Sequence, residues 1–490
     1  MKKMNLLAMS LVSAAALSFS SCSNNDDLAG GAGTQSKVEG FYMTLAVQTP
    51  TSNGTRTQQQ DKNVPATEGE TKLTSGTLYL VDATTEKVVF KKTISEAEWS
   101  KAAPESPTTG KTEIQVPVQN VTEGTKYKVY FLANTTNDAP WANTAILTSE
   151  TGFAGDYAKD DQFAMFNQND ENSPAGQYTV TFSKDNKETP AKLNKPIQLD
   201  RITARIDKPT SVSAINETYP KDATASQKKA IDDAKDKVSS ITLTHYAITN
   251  LANKTYIMQN WNDASALLIP TAATGFTYIQ PKEGLGGQYD INTENAGKWF
   301  GMNEKNYVFE NTDGTPTTMY FEYTVTLDGT KFTDDTPDFT DCTFYRYNGV
   351  IYRSIAAIYK AYQDQPILFG GKSAADLLAE LKPKTTNEGE NVTKTIGATE
   401  EELKAFRQAY TIEVFREGKT YYSQVITDKW LETKTIQRNT VYQLNVKNIY
   451  NLGADVPNGK PDENKPMYYL DVEVSVNPWV LSTQDVNLGE

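Results

Sequence analysis

The 490-residue chain contains a single histidine, His245. One imidazole excludes His-pair zinc sites and weakens any Ser/His or Cys/His catalytic arrangement. There are two cysteines, Cys22 and Cys342. They could in principle pair across about 320 residues, but two cysteines make no disulfide framework, and with Cys22 read below as an acylation site Cys342 is expected to be a lone buried thiol. Beyond the amino-terminal end no stretch approaches the roughly 20 apolar residues that span a bilayer. Positive charge is in deficit, with 48 Lys and Arg against 61 Asp and Glu, a net charge of -13 and a pI near 4.9. Such a chain carries no net basic field with which to release counterions from a polyanion, so neither nucleic acid nor an anionic membrane surface is expected as a partner.

The chain does have 26 Tyr, 21 Pro and 29 Gly, and 38% of its residues are hydrophobic. That content supports a substantial core and more than one domain. The strand-forming and turn-forming residues point to a mainly β protein with a few short helices.

The first 22 residues read as an export address. Lys2 and Lys3 precede an apolar run over residues 6–19, and Ser20-Ser21-Cys22 closes it. A cysteine placed directly after small residues resembles a bacterial lipobox, which implies acylation of Cys22; plain signal cleavage nearby is the alternative. Residues 23–38 are rich in Gly, Ser and Asn and should form a flexible tether.

Phe41, Met43, Leu45 and Val47 alternate with Tyr42, Thr44 and Ala46, the period-two pattern of a half-buried strand. Residues 49–70 hold few large apolar side chains and are expected to be an exposed loop, with Arg56 its only arginine. Strands are expected over 73–81, 87–93, 112–118, 126–133, 178–182 and 197–206, the last opening a second domain near residue 200. Helix starts with capping-box spacing occur at Ser373 with Asp376 and at Thr399 with Glu402. Leu403, Phe406 and Tyr410 would form the buried stripe of the latter, and Ala230, Ile231, Ala234 and Val238 mark another helix. Residues 441–447 alternate as a strand, and 451–466 have a composition that cannot hold a core. Near the end Leu470, Val472, Val474 and Val476 share one face. An apolar strand at a terminus, behind a flexible tether, can pair away from its own domain.

Catalytic and metal chemistry finds little support. Gly370-Gly371-Lys372-Ser373 resembles a phosphate loop, but Pro366 stands where its first glycine belongs, so a loop entering a capped helix is favoured. Asp334, Asp335, Asp338 and Asp341 match no calcium-loop spacing and read as a solvated acidic turn. His245 among strand residues reads as structural. No carboxylate pair stands out for glycoside hydrolysis. Six Trp and the many Tyr could build a sugar-stacking platform, or simply pack sandwich cores. The chain is therefore expected to be non-enzymatic, without metal or cofactor.

The order of several segments resembles the fimbrillin family of Bacteroidetes type V pili, most closely stalk subunits of minor fimbriae. These segments are the lipobox Cys22, the strand 41–47 followed by Arg56-Thr57, and Gly124 to Asn134. Further on they are Arg201 to Ile206, Arg438 to Gly453, and Val472 to Leu481. The resemblance implies two β-sandwich domains of transthyretin-like topology. It divides the chain into a signal peptide over 1–22, a propeptide over 23–56, domains over 57–199 and 200–466, and a donor strand over 467–490. An arginine-specific surface protease would cut between Arg56 and Thr57 and remove the strand carrying Phe41, Met43, Leu45 and Val47. A neighbouring subunit would replace it with Val472, Val474, Val476, Trp479, Leu481, Val486 and Leu488. The partners implied are identical subunits joined head to tail, with anchor and tip accessory subunits, in a fimbria on the cell surface fed by an outer-membrane lipoprotein precursor. A monomeric surface lipoprotein that binds glycan or a host protein is the competing expectation, with a secreted hydrolase behind both.

Overall fold

A computed structural model describes residues 40–50, 64–102, 111–135, 145–149, 154–170, 174–262, 266–279, 304–312, 314–362, 366–388, 391–428, 431–457 and 470–481. Cys22, Arg56, Thr57, Val486 and Leu488 lie outside them. The described chain is mainly β.

Nine strands make the first sheet. Lys111–Val118 forms one edge, followed by Phe41–Gln48, here called the opening strand, and then by Ala191–Lys192 and Ile197–Arg201. Met165–Asn167 and Thr179–Thr181 come next, then Lys126–Ala133, Gly76–Asp82 and, at the far edge, Val88–Ile94. Side chains alternate across such a sheet, so a strand covered on both faces must be apolar almost throughout. Lys126–Ala133 meets that demand. Tyr127, Val129 and Phe131 enter one core while Tyr130 and Leu132 enter another on the opposite face.

The expected run over 197–206 is two strands in two sheets. The chain bends at Ile202 and Thr203, where the Ile202 N–H donates to the Ala164 carbonyl and the Asn439 N–H donates to the Thr203 carbonyl. It resumes as Ala204–Asp207 beside Thr440–Ile449. This second sheet also contains Lys305–Val308, Thr210–Ser211, Val64–Ala66 and the final described strand Leu470–Leu481, here called the closing strand. A third sheet of Val238–Thr249, Thr318–Leu327 and Lys419–Val425 contributes to the same core, with Tyr246, Phe321, Val325, Tyr442 and Leu444 buried together.

Between Thr318–Leu327 and Lys419–Val425, which pair directly through Thr324 and Lys419, residues 328–418 form an inserted lobe. It holds a core of its own, including Phe339, Tyr345, Leu377, Leu403 and Phe406. Its helices Ala374–Glu380 and Glu400–Tyr410 begin with the capping boxes Ser373/Asp376 and Thr399/Glu402. The helix Ala225–Lys237, outside the lobe, carries a third, Thr224 with Gln227, and buries Ile231 and Ala234. Each box ties down amide donors that a helix start would otherwise leave unpaired, which is worth about 1 kcal/mol.

Three local expectations are corrected. Cys342 is exposed, at a positive φ of 67° in a turn, so no core closes over its thiol. The stretch after residue 451 begins buried, not solvated. Leu452 lies in the second core, and the Leu452 and Gly453 carbonyls accept from Arg346 at 2.8 and 2.9 Å. A Cβ on Gly453 would collide with the Tyr421 carbonyl, so only glycine permits this close approach. The acidic run is also partly internal. Asp335 accepts from the Arg353 N–H and the Ser354 hydroxyl, and Asp338 accepts from the Ile355 N–H and the Tyr345 hydroxyl, so both carboxylates anchor the start of helix Ile355–Ala361.

Candidate functional site

The opening strand is the second strand of its sheet, not an edge. Along its full length, from Phe41 opposite Val118 to Gln48 opposite Lys111, it pairs antiparallel with Lys111–Val118. On its other side Met43 and Thr44 run parallel to Ala191 and Lys192, and Val47 and Gln48 run parallel to Ile197 and Gln198. Met43, Leu45 and Val47 are fully buried in the first core, and Phe41 packs on Phe182 with ring centres 5.6 Å apart. At about 1.5–3 kcal/mol per buried side chain, the three fully buried residues alone represent roughly 5–9 kcal/mol. Among the described pairings, Lys111–Val118 is joined to the sheet through the opening strand alone. Loss of the opening strand would therefore leave backbone donors and acceptors unpaired on both flanks, above an uncovered apolar floor.

The closing strand pairs antiparallel with Thr440–Ile449, from Leu470 opposite Ile449 to Pro478 opposite Thr440. Pro478, which has no N–H to donate, is the last residue of that ladder. Leu470, Val472 and Val474 pack on the second core. Beyond the proline the partner changes: Trp479, Val480 and Leu481 run parallel to Val64, Pro65 and Ala66. Trp479 is fully buried and belongs to the first core. The strand thus begins on one core and ends on the other.

A buried polar cluster holds that end. The Glu70 carboxylate, with no exposed surface, accepts from Lys305 Nζ at 2.7 Å, Tyr307 Oη at 2.8 Å, the Thr67 N–H at 2.8 Å, Trp479 Nε1 at 3.1 Å and Arg205 Nη1 at 3.3 Å. Burial alone would push its pKa up. The Lys305, Thr67 and Tyr307 hydrogen bonds and the Arg205 charge outweigh burial and leave it at about 2. Arg201 completes the cluster. It donates from Nε to the Glu70 carbonyl at 2.7 Å and from Nη1 to the Trp479 carbonyl at 2.9 Å and Asn439 Oδ1 at 3.0 Å. Full burial pulls its pKa down to about 9 against the opposing pull of Glu70. The guanidinium carbon of Arg201 sits 4.3 Å from the centre of the Trp479 ring, while Tyr307 stacks on that ring at 5.6 Å and Phe163 meets it edge-on at 5.5 Å.

This clamp joins the two strands that sequence singles out. Arg201 ends Ile197–Arg201, the neighbour of the opening strand, and Gln198 of the same segment donates to Gln48 at 2.7 Å. Of the residues expected to matter, Phe41, Met43, Leu45 and Val47 lie together in the opening strand, and Val472, Val474, Val476, Trp479 and Leu481 lie in the closing strand. Sequence reasoning missed Glu70, Lys305 and Tyr307. Glu70 was expected in an exposed loop, whereas Ala66 and Glu70 are buried. His245 Nδ1 lies 2.9 Å from Glu322 Oε1 on the paired strand, a cross-strand contact and not a reactive pair. Among the described residues no group of His, Cys, Asp or Glu is placed to hold a metal ion.

Residues 413–485 match the family model for major fimbrial subunit protein type IV, fimbrillin, C-terminal. That stretch covers the closing strand and its partner. Among solved structures, a fimbrilin from Porphyromonas gingivalis W83 is similar at 14% identity, covering 90% of this chain and 99% of its own, with a TM-score of 0.43. A candidate cell adhesion protein from Parabacteroides distasonis ATCC 8503 is similar at 13% identity, covering 91% of this chain and 99% of its own, with a TM-score of 0.42. No curated protein matches the chain. The carboxy-terminal segment is thus similar to the corresponding part of major fimbrial subunit proteins, and the family match is confined to that segment.

Proposed function

We propose that this chain is a stalk subunit of a cell-surface fimbria, assembled by protease-triggered strand exchange. In this reading it comprises two sandwich domains of transthyretin-like topology, over 57–199 and 200–466. The precursor is exported as a lipoprotein through Cys22 and opened by an arginine-specific cut between Arg56 and Thr57. That cut frees the opening strand, and residues 467–490 of the next subunit take its place. The observation that carries the reading is the seat of the opening strand: it precedes every other described strand, is bonded on both flanks and is buried at Met43, Leu45 and Val47.

A vacated groove offers an incoming strand one full edge, on Lys111–Val118, and a partial one, on Ala191–Lys192 and Ile197–Arg201, much as the closing strand in its own chain has one full edge, on Thr440–Ile449, and a second at its last residues. Exchange therefore restores main-chain bonds to the vacated groove by β-augmentation, and the alternation of Leu470, Val472 and Val474 suits a floor that accepts every second side chain. Against exchange stand the burial of Trp479 and the clamp around Glu70. A donor and an acceptor at different places on one molecule give a contact that does not close on itself, hence a filament. Possession of both features favours a stalk subunit over an anchor, which would keep its lipid, and over a tip, which needs no donor strand.

The test is incubation of purified precursor with an arginine-specific protease, followed by SDS gel and electron microscopy. Heat-labile ladders and fibres that vanish on deletion of residues 467–490 support the reading. A cut product that stays monomeric, or fibres from Arg56→Ala precursor that keeps its leader, refutes it.

A further inference from the structure

A cavity of about 590 Å³ opens where three segments meet: the turn after Val64–Ala66, the hairpin of Ala158–Lys159 and Gln162–Phe163, and the edge strand Lys305–Val308. That size falls within the ~300–1,000 Å³ of small-molecule sites. Gly69 and Ala158 line it with little or no side chain, which leaves the space open. A Cβ on Gly69 would stand 3.3 Å from Asp160 Oδ1 and 3.4 Å from the Asp161 nitrogen, so glycine lets the two turns close on each other. The Asp161 N–H donates to the Gly69 carbonyl at 2.8 Å and fastens them.

Most of the wall is held before any ligand arrives. Lys305 Nζ is fixed on Glu70, Asp161 pairs with Lys72 at 2.9 Å, and the Tyr307 ring is stacked on Trp479 and met edge-on by Phe163. The carboxylates of Glu68 and Asp160, by contrast, are exposed and have no hydrogen-bond or ion-pair partner among the described residues. Free acceptors and a fixed ammonium thus stand beside a methyl group and an aromatic ring. A carboxylate accepts from two hydroxyls at once, an ammonium donates to a third oxygen, and the apolar part meets C–H groups. A sugar carries all these complements on one small body. Other ligands fit less well. An anion would meet three lining carboxylates, Glu68, Asp160 and Asp161, against one lining ammonium. A lone amine would leave Lys305 and the apolar wall without a complement. Among the described residues no group is placed to hold a metal ion.

We propose that this cavity binds a neutral saccharide with adjacent free hydroxyl groups: Glu68 and Asp160 accept from the hydroxyls, and Lys305 donates to a sugar oxygen. Because most of the wall is fixed beforehand, little ordering entropy is lost on binding. Lys305 and Tyr307 also belong to the clamp around Glu70 and Trp479, so a bound sugar is linked to the seat of the closing strand through two shared side chains. The site goes beyond the proposed function and needs neither cutting nor polymerisation.

The experiment titrates the full-length chain with the methyl glycosides of glucose, galactose, mannose, fucose and N-acetylglucosamine, read by calorimetry and tryptophan fluorescence. At least one should bind saturably. Asp160→Ala and Glu68→Ala remove exposed side chains without partners among the described residues, and each should weaken that glycoside about tenfold or more at an unchanged melting temperature. Asp185→Ala, exposed on a different turn, should leave its affinity unchanged. The fluorescence change should come from Trp479 behind Tyr307 and vanish in Trp479→Phe, while the heat of binding remains. No heat with any of the five at ~10 mM, equal affinity in both carboxylate variants, or a fluorescence change that survives Trp479→Phe overturns the proposal. So does tighter binding of lysine amide or of sialic acid than of every neutral glycoside, which marks a charged ligand. A chain that binds the glycoside yet never polymerises supports this site and refutes strand exchange; fibres from a chain without affinity for any of the five do the reverse.

Discussion

The indole N–H of Trp479 donates to the Glu70 carboxylate at 3.1 Å, a contact between residues 409 apart in sequence. It links the described segment that begins at residue 64 to the last described strand. Because Glu70 also holds Arg205, Lys305 and Tyr307, and Arg201 grips both the Glu70 and Trp479 carbonyls, the end of the closing strand cannot move without dismantling a buried ionic cluster.

Acid should weaken the clamp. Glu70 in the folded chain stays ionised down to about pH 2, while in the unfolded chain it takes up its proton near the ordinary value of 4.5. A depressed carboxylate stabilises fully above the unfolded value and loses that contribution as pH falls through the folded one. At ~1.4 kcal/mol per pKa unit, roughly 3 kcal/mol should disappear between pH 4.5 and pH 2. Urea midpoints across that range should show this slope in the native sequence and a much flatter one in Glu70→Gln. Equal slopes would show that Glu70 does not set the acid response.

Trp479→Ala should cost about 3–5 kcal/mol, the usual range for deleting a large buried aromatic side chain. The specific sign of its role is spatial. Hydrogen exchange should accelerate together in residues 470–481 and in Val64–Ala66, which pair at Trp479. If strand exchange operates, the cut variant should also form fibres faster than wild type, because its donor segment is held less firmly. Faster exchange confined to the closing strand would show that Val64–Ala66 does not depend on it.

Leu45→Ala separates the precursor from the filament. The side chain is fully buried, so the precursor should lose about 2–5 kcal/mol. If strand exchange operates as proposed, fibres built from cut subunits no longer contain residue 45, and their heat dissociation should match wild type. A lowered dissociation temperature in washed fibres would place the opening strand inside the assembled form.

Arg346→Ala should release the chain after residue 451 from the inserted lobe. The guanidinium donates to the Leu452 and Gly453 carbonyls and to Glu413; a charged hydrogen bond contributes ~1.5–3 kcal/mol, such contributions do not add in full, and Glu413 is partly solvated, so a loss of about 2–4 kcal/mol is expected. Arg346→Lys should recover less than half, because one ammonium cannot reproduce the planar fork. Thermal melts of the three proteins provide the comparison, and full rescue by lysine would reduce the interaction to simple charge.

Periodicity along the chain was enough to place the opening strand, the run 126–133, the helix Glu400–Tyr410 and its capping box, since each depends on side chains within a few residues of one another. The alternation of Phe41, Met43, Leu45 and Val47 likewise specified which face would be buried. The neighbours of that strand were not encoded locally. Nothing near residue 45 states that Lys111–Val118 hangs on it alone, or that the run over 197–206 splits between two sheets. The clamp was less legible still. Glu70, Arg201, Lys305, Tyr307 and Trp479 come from four distant segments, and a carboxylate in a polar stretch looks solvated until the fold surrounds it with donors. The same holds for Arg438, Arg346 and Arg407, whose withdrawal from the surface depends on the acceptors Glu310, Glu413 and Asp455 that only chain packing brings within reach. Local spacing thus decided which segments become strands and helices; burial of charge, being a property of neighbours remote in sequence, was decided by the tertiary structure.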